Sequence, residues 1–135
     1  MIHRTKKEKD ANKDKWLGIG GRLEEGESPF DCARREAKEE TGLTLTDLRY
    51  RGIVTFVSDK HGTEYMHLFH SASFAGELNT NCNEGELEWI DKRDVISLPI
   101  WEGDKIFLDL LDKEVPFFSL KLIYRGDKLI DHVLE

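Results

Sequence analysis

Residues 21–43 read GRLEEGESPFDCARREAKEETGL, and the reading of the whole chain starts here. Ser28-Pro29 opens a helix. A serine hydroxyl can accept from a first-turn amide, and proline suits the first helical position, where its missing N–H is not needed. Asp31 adds a carboxylate at the positive end of the helix. The helix predicted over 29–41 stops at Gly42, a residue able to take the left-handed conformation that ends helices. Cys32, Ala33 and Ala37 form a small-residue stripe suited to close packing on a sheet. Glu36, Glu39 and Glu40 stand at i, i+3 and i+4, so all three project from one face. Like charges at that spacing cost roughly a few tenths of a kcal/mol per pair. Arg35 offers a partner to Glu39 one turn on. The face is either a solvated acidic surface or a hard-oxygen site for Mg²⁺ or Mn²⁺. Gly20-Gly21 upstream and Gly42 downstream, with their exposed carbonyls, favour the second.

Upstream, Trp16-Leu17-Gly18-Ile19-Gly20-Gly21 is a short apolar segment punctuated by glycines, which suggests close backbone approach. Thr5–Lys15 is charged, with Ala11 its one apolar residue, and reads as a solvated loop. Met1–Arg4 reads as the end of a strand. Downstream, Tyr50–Val57 is rich in β-branched and aromatic residues and predicts a strand. A turn at 58–63 and a return strand at 64–74 follow. Asn79–Gly85 reads as a polar loop, and Glu86–Ile90 as a short strand. Asp94–Leu98 reads as one helical turn, and Trp101–Leu111 as an amphipathic helix. Phe117–Tyr124 and Lys128–Leu134 predict a hairpin around Gly126-Asp127. This order gives an α/β (α+β) class, with helices packed on a mixed sheet.

The 135 residues suit a single domain over 1–135. Hydrophobic residues make up 39% and charged residues 35%, a globular composition. The net charge of -7 argues against coating a nucleic acid polymer, because that affinity rests on neutralised phosphates. Cys32 and Cys82 make no disulfide framework and read as reduced thiols. No apolar run approaches the roughly 20 residues that span a bilayer. The first ten residues lack a signal peptide's apolar stretch. A cytoplasmic protein without a membrane partner is expected.

Residues 21–43 resemble the Nudix box, G-x5-E-x7-R-E-U-x-E-E-x-G-U, where U is bulky and apolar. Gly21, Glu27, Arg35, Glu36, Glu39, Glu40, Gly42 and Leu43 match at the right spacing, and Ala37 at the first U position departs. The resemblance implies a Nudix-like mixed sheet sandwiched between helices. It also implies that Glu36, Glu39 and Glu40 are divalent-metal ligands, with the carbonyl of Gly20 a further one. Glu36 is a candidate to orient or deprotonate the water. Glu27 and Arg35 are implied to form a structural ion pair; the plainer reading is two surface charges. Similar proteins place a catalytic or metal-binding Glu in the loop that here holds Glu84, with Glu86 second. The implied cofactor is Mg²⁺, with Mn²⁺ as the alternative. Attack on a pyrophosphate linkage fits such a site, since metals neutralise its charge and carboxylates hold the metals.

Trp16–Arg22 and Leu98–Asp104 look like the MutT-type branch, which removes oxidised purine nucleoside triphosphates such as 8-oxo-dGTP. That likeness implies that Trp101 stacks on the purine and Asp104 hydrogen-bonds its edge. Otherwise Trp101 is a core aromatic starting a helix. Leu17 stands where similar mammalian-type enzymes have an Asn that reads the base, and Gly103 replaces a second acidic residue. Arg4 is matched with a phosphate-contacting Arg, and Arg22, the second residue of the box segment, is a further substrate-binding candidate. Such domains usually begin with one or two strands ahead of this start. Ile2-His3-Arg4 then reads as a remnant, and the missing strand predicts an exposed sheet edge, with lower stability or self-association. The implied partner is a small nucleotide. The alternatives are an ADP-ribose, dinucleoside polyphosphate or pterin triphosphate substrate, or a catalytically silent nucleotide-sensing module.

Overall fold

In chain order the elements are β1 (Ile2–His3), β2 (Trp16–Leu17), α1 (Pro29–Thr41), β3 (Thr44–Leu45), β4 (Leu48–Ser58), β5 (Gly62–Ser71), β6 (Phe74–Ala75), β7 (Asn81–Cys82), β8 (Gly85–Leu87), α2 (Lys92–Val95), α3 (Glu102–Asp112), β9 (Phe118–Arg125) and β10 (Lys128–Leu134). They come from a computed structural model that describes residues 1–4, 12, 14–79, 81–82 and 85–135. The chain is mixed α+β and forms two units, Met1–Leu48 with Ser71–Ile100 and Arg49–His70 with Trp101–Glu135.

In the first unit, α1 starts as its sequence dictates. Ser28 Oγ accepts the Asp31 amide at 3.1 Å, and the Asp31 carboxylate accepts the Ser28 amide at 3.0 Å. This reciprocal capping satisfies two otherwise orphaned donors. Gly42, at φ +79°, ends the helix and donates its amide to the Lys38 carbonyl. Cys32, Ala37 and Thr41 are the buried residues of α1. The Thr41 hydroxyl bonds the Ala37 carbonyl and accepts the Leu43 amide, so the exit from the helix is held by a side chain. Strands β1, β2, β7 and β8 form one sheet in the order β2-β1-β8-β7. Ile2–His3 is an interior strand of that sheet: Ile2 lies opposite both Leu17 and Leu87, and His3 opposite both Trp16 and Glu86. Ile2 and Leu87 are buried and pack with Leu78. The His3 and Trp16 rings stack at 4.6 Å.

In the second unit the sheet order is β10-β9-β4-β5, with β4 and β9 parallel. Strand β9 buries every second residue, namely Phe118, Leu120, Leu122 and Tyr124. These four form a core with Val54 of β4 and Phe107 of α3. The alternation is what a strand with one face on the core requires.

The structure corrects several expected boundaries. Residues 79–85, read as a polar loop, contain β7, which pairs with β8 through Asn81↔Glu86 and Cys82↔Gly85. Backbone pairing needs no apolar side chain, so polarity hid it. The return strand expected through Phe74 ends at Ser71, and Phe74–Ala75 instead pair with β3. A bond between the Thr46 and Ser73 hydroxyls at 2.7 Å fastens that crossing. The short helical turn expected at 94–98 lies at Lys92–Val95, because Asp91 caps it by accepting the Arg93 amide. Helix α3 begins at Glu102, leaving Trp101 as its N-cap. Among the described residues, no helix is long and apolar enough to cross a membrane.

Candidate functional site

Arg35 fastens residues 22–27 to α1. Its Nε donates to Glu27 Oε2 at 2.7 Å and its Nη2 to Glu27 Oε1 at 3.0 Å, a two-pronged pair. Nη2 also donates to the Arg22 carbonyl at 3.0 Å, while Nη1 reaches Glu36 at 2.8 Å and Glu39 at 3.1 Å. Glu24 adds a fourth carboxylate at 3.6 Å. The Arg35 and Glu27 side chains are 21% and 15% exposed, so this pair is shielded far more than an ordinary surface bridge. The Arg35 guanidinium, and after it the Glu24 amide, hold the Glu27 carboxyl below the ordinary glutamate range. Burial pushes the Cys32 thiol up, which makes it an inert packing residue rather than a nucleophile.

The acidic face lies against a glycine backbone. A Cβ on Gly21 would fall 2.3 Å from the Glu36 carboxylate, so only glycine permits that approach. The Gly20 amide donates to Glu40 Oε2 at 3.4 Å, a long contact. Glu36 and Glu39 thus turn toward Arg35, and Glu40 toward Gly20. Among the described residues, no three acidic, imidazole or thiol groups converge into a ready-made metal cluster. The donor set still fits a hard divalent cation. It is all oxygen, and the bare Gly21 backbone lets the Glu36 carboxylate lie close against it.

The remaining residues singled out from sequence fall as follows. Glu84 lies outside the described residues. Glu86 is exposed on β8, opposite His3 and Asn81. Arg4 follows β1, its amide bonding the Lys15 carbonyl and its carbonyl accepting the Asp14 amide. Leu17 sits in β2 opposite Ile2. Arg22 is exposed and gives its carbonyl to Arg35. Glu86, Arg4, Leu17 and Arg22 belong to the first unit with the box. In the second unit, the Trp101 and Tyr124 rings meet in a T at 5.6 Å and 84°. Asp104 is 9% exposed, and its amide donates to the Trp101 carbonyl at 3.0 Å. The Tyr124 hydroxyl accepts the Gly103 amide at 2.8 Å. Burial pushes the Tyr124 pKa up to about 12, with Asp104 and Glu102 adding to the rise. Sequence reasoning missed Glu24 and Tyr124. The signal for Tyr124 was a polar tip on the inward phase of a strand, which demands a partner.

A family model described as NUDIX domain matches residues 1–111. The chain is 35% identical over 102 residues to the uncharacterized Nudix hydrolase YvcI of Bacillus subtilis, a match covering 73% of this chain and 65% of that protein. It is 29% identical over 123 residues to the oxidized purine nucleoside triphosphate hydrolase of Danio rerio, across 90% of this chain and 78% of that protein. A crystal structure of a mutator MutT protein from Bacillus halodurans matches with a TM-score of 0.84 at 29% identity, across 90% of this chain and 82% of that chain.

Proposed function

Because the chain belongs to the NUDIX domain family and is a Nudix hydrolase, we propose that it hydrolyses a purine nucleoside triphosphate to the monophosphate and pyrophosphate. The preferred substrate in this reading is an oxidised guanine form such as 8-oxo-dGTP, the metal is Mg²⁺, and the compartment is the cytoplasm. Nudix hydrolases act on small nucleotides and generally use a divalent metal. The observation that carries the reading is the Arg35 hub, which fixes the 22–27 loop on the helix face bearing Glu36, Glu39 and Glu40. The likeness to the Danio rerio oxidized purine nucleoside triphosphate hydrolase supports the purine assignment. We further take residues 1–135 as one Nudix domain.

Glu36, Glu39 and Glu40, with the Gly20 carbonyl, would hold the metal. The metal, when bound, neutralises phosphate charge and acidifies a bound water. Glu36, closest to the Gly21 backbone, orients the attacking water and takes its proton at the carboxylate. Glu84, with Glu86 second, adds a further carboxylate. Arg4 meets phosphate, and Arg22, within the box, adds a second cation for the substrate. Trp101 stacks on the base, and Asp104 accepts from its edge. Leu17 supplies no amide to read the base, so discrimination between bases is shallow.

The test is a substrate panel on metal-stripped protein with Mg²⁺ added back, following pyrophosphate and phosphate release. The panel holds oxidised and normal purine triphosphates, ADP-ribose, a dinucleoside polyphosphate and a pterin triphosphate. Preference for a purine triphosphate is expected. Preference for another member overturns the substrate, and no turnover of any member overturns the catalytic reading.

A further inference from the structure

We propose that Tyr124 is a positioning residue for the nucleotide base: its hydroxyl holds the turn 101–104 and thereby sets Trp101 and Asp104. This rests on the reading of those two residues as the base-binding pair. Helix α3 begins without help from its own N-cap, because Trp101 makes no side-chain cap bond. The first-turn amides of a helix have no partner within it. Tyr124, from β9, supplies one through its bond to the Gly103 amide. The same ring meets the Trp101 ring in a T-shaped contact. The turn is closed on the other side by the Asp104 amide on the Trp101 carbonyl.

Gly103 is the complement of this arrangement. A Cβ there would lie 2.6 Å from the Tyr124 oxygen and 2.5 Å from Leu122 Cδ1. The Tyr124 hydroxyl and the Leu122 methyl together occupy the space that a side chain at 103 would need. One side chain thus caps the helix, walls the tryptophan and keeps position 103 bare. Its high pKa leaves it neutral beside Asp104 across the working pH range. Loss of the hydroxyl loosens the wall on which the base stacks and leaves the acidic face untouched in composition. The effect belongs in KM for purine triphosphates rather than in kcat.

Steady-state kinetics on the full chain with 8-oxo-dGTP and dGTP test this, using Tyr124→Phe, Gly103→Ala, the double variant and Trp101→Ala. Tyr124→Phe is expected to raise KM about five- to tenfold, the range one hydrogen bond commands, with kcat within about twofold of the parent. Gly103→Ala is expected to raise KM more in the parent than in the Tyr124→Phe background. There the hydroxyl is gone, and only a flexible leucine methyl must move. A merely structural tyrosine would lower the thermal midpoint and the active fraction, and with it kcat, at constant KM; that result overturns the proposal. Additive effects of the two substitutions also overturn it. If Trp101→Ala raises KM and Tyr124→Phe does not, positioning fails while the base site stands. If Trp101→Ala leaves KM unchanged, the base-site reading itself has failed and takes the proposal with it.

Discussion

The residue that organises the acidic helix face is a cation. Arg35 touches Glu27, Glu36, Glu39 and the Arg22 carbonyl, so one guanidinium holds two carboxylates of that face and the loop beside it. Glu39→Gln and Glu40→Gln keep shape and remove charge. Each is expected to lower turnover by about two orders of magnitude or more and to weaken the Mg²⁺ dependence, with the circular dichroism spectrum unchanged. If the face were only solvated, both variants would match the parent in activity and gain slightly in stability from reduced repulsion. Glu27→Gln should act mainly on stability. The Glu27 pKa is lowered, so its contribution is full above the ordinary glutamate range and lost as pH falls through the lowered value. The thermal midpoints of parent and Glu27→Gln should therefore differ at neutral pH and converge in acid; a gap constant with pH would refute the ion-pair account. Helical offsets made the three glutamates and the Arg35–Glu39 contact legible in the sequence. The Arg35–Glu36 contact was not legible, because neighbours at i and i+1 do not face each other and only a long guanidinium bridges them.

At the scale of the element, α1 was the most legible part of the chain because both of its ends are written in residue types with one conformational purpose. Gly42 stands at φ +79°, where a Cβ would also come within 3.3 Å of the Glu77 carbonyl. Gly42→Ala should cost about 1–2 kcal/mol, the usual penalty for a left-handed L-residue. Ser28→Ala removes one half of the reciprocal cap and should cost about 1 kcal/mol. Urea midpoints measure both, and a neutral Gly42→Ala would show that the helix end relaxes out of the left-handed region. The short elements were illegible for the same physical reason that the helix was clear. Strands β3, β6 and β7 have two residues each, too few to show a period. Their pairing depends on which backbone the fold brings alongside. The end of β5 at Ser71 likewise depends on Thr46, a residue distant in sequence, meeting Ser73. Tyr124 looked like one more apolar position on β9 until its hydroxyl found Gly103.

For the whole molecule, length and composition indicate one domain, but the two units are each assembled from separated stretches of chain. No local pattern marks such a division, since it follows from tertiary contacts alone. The chain crosses between units after Leu48, after His70 and after Ile100. The first crossing falls within β4 and the second within β5, so neither unit is a contiguous piece that could be cut free. Residues 1–135 should therefore unfold as one cooperative body. Hydrogen exchange read by mass spectrometry on the peptides 29–41 and 118–125 checks this, one peptide from each unit. Both should share one opening free energy and one denaturant midpoint. Leu122 is fully buried in β9, and Leu122→Ala should cost about 2–5 kcal/mol. That loss should appear equally in both peptides, including the α1 peptide of the other unit. If 118–125 loosens while 29–41 keeps its protection, the chain is two folding units, and the single-domain assignment fails.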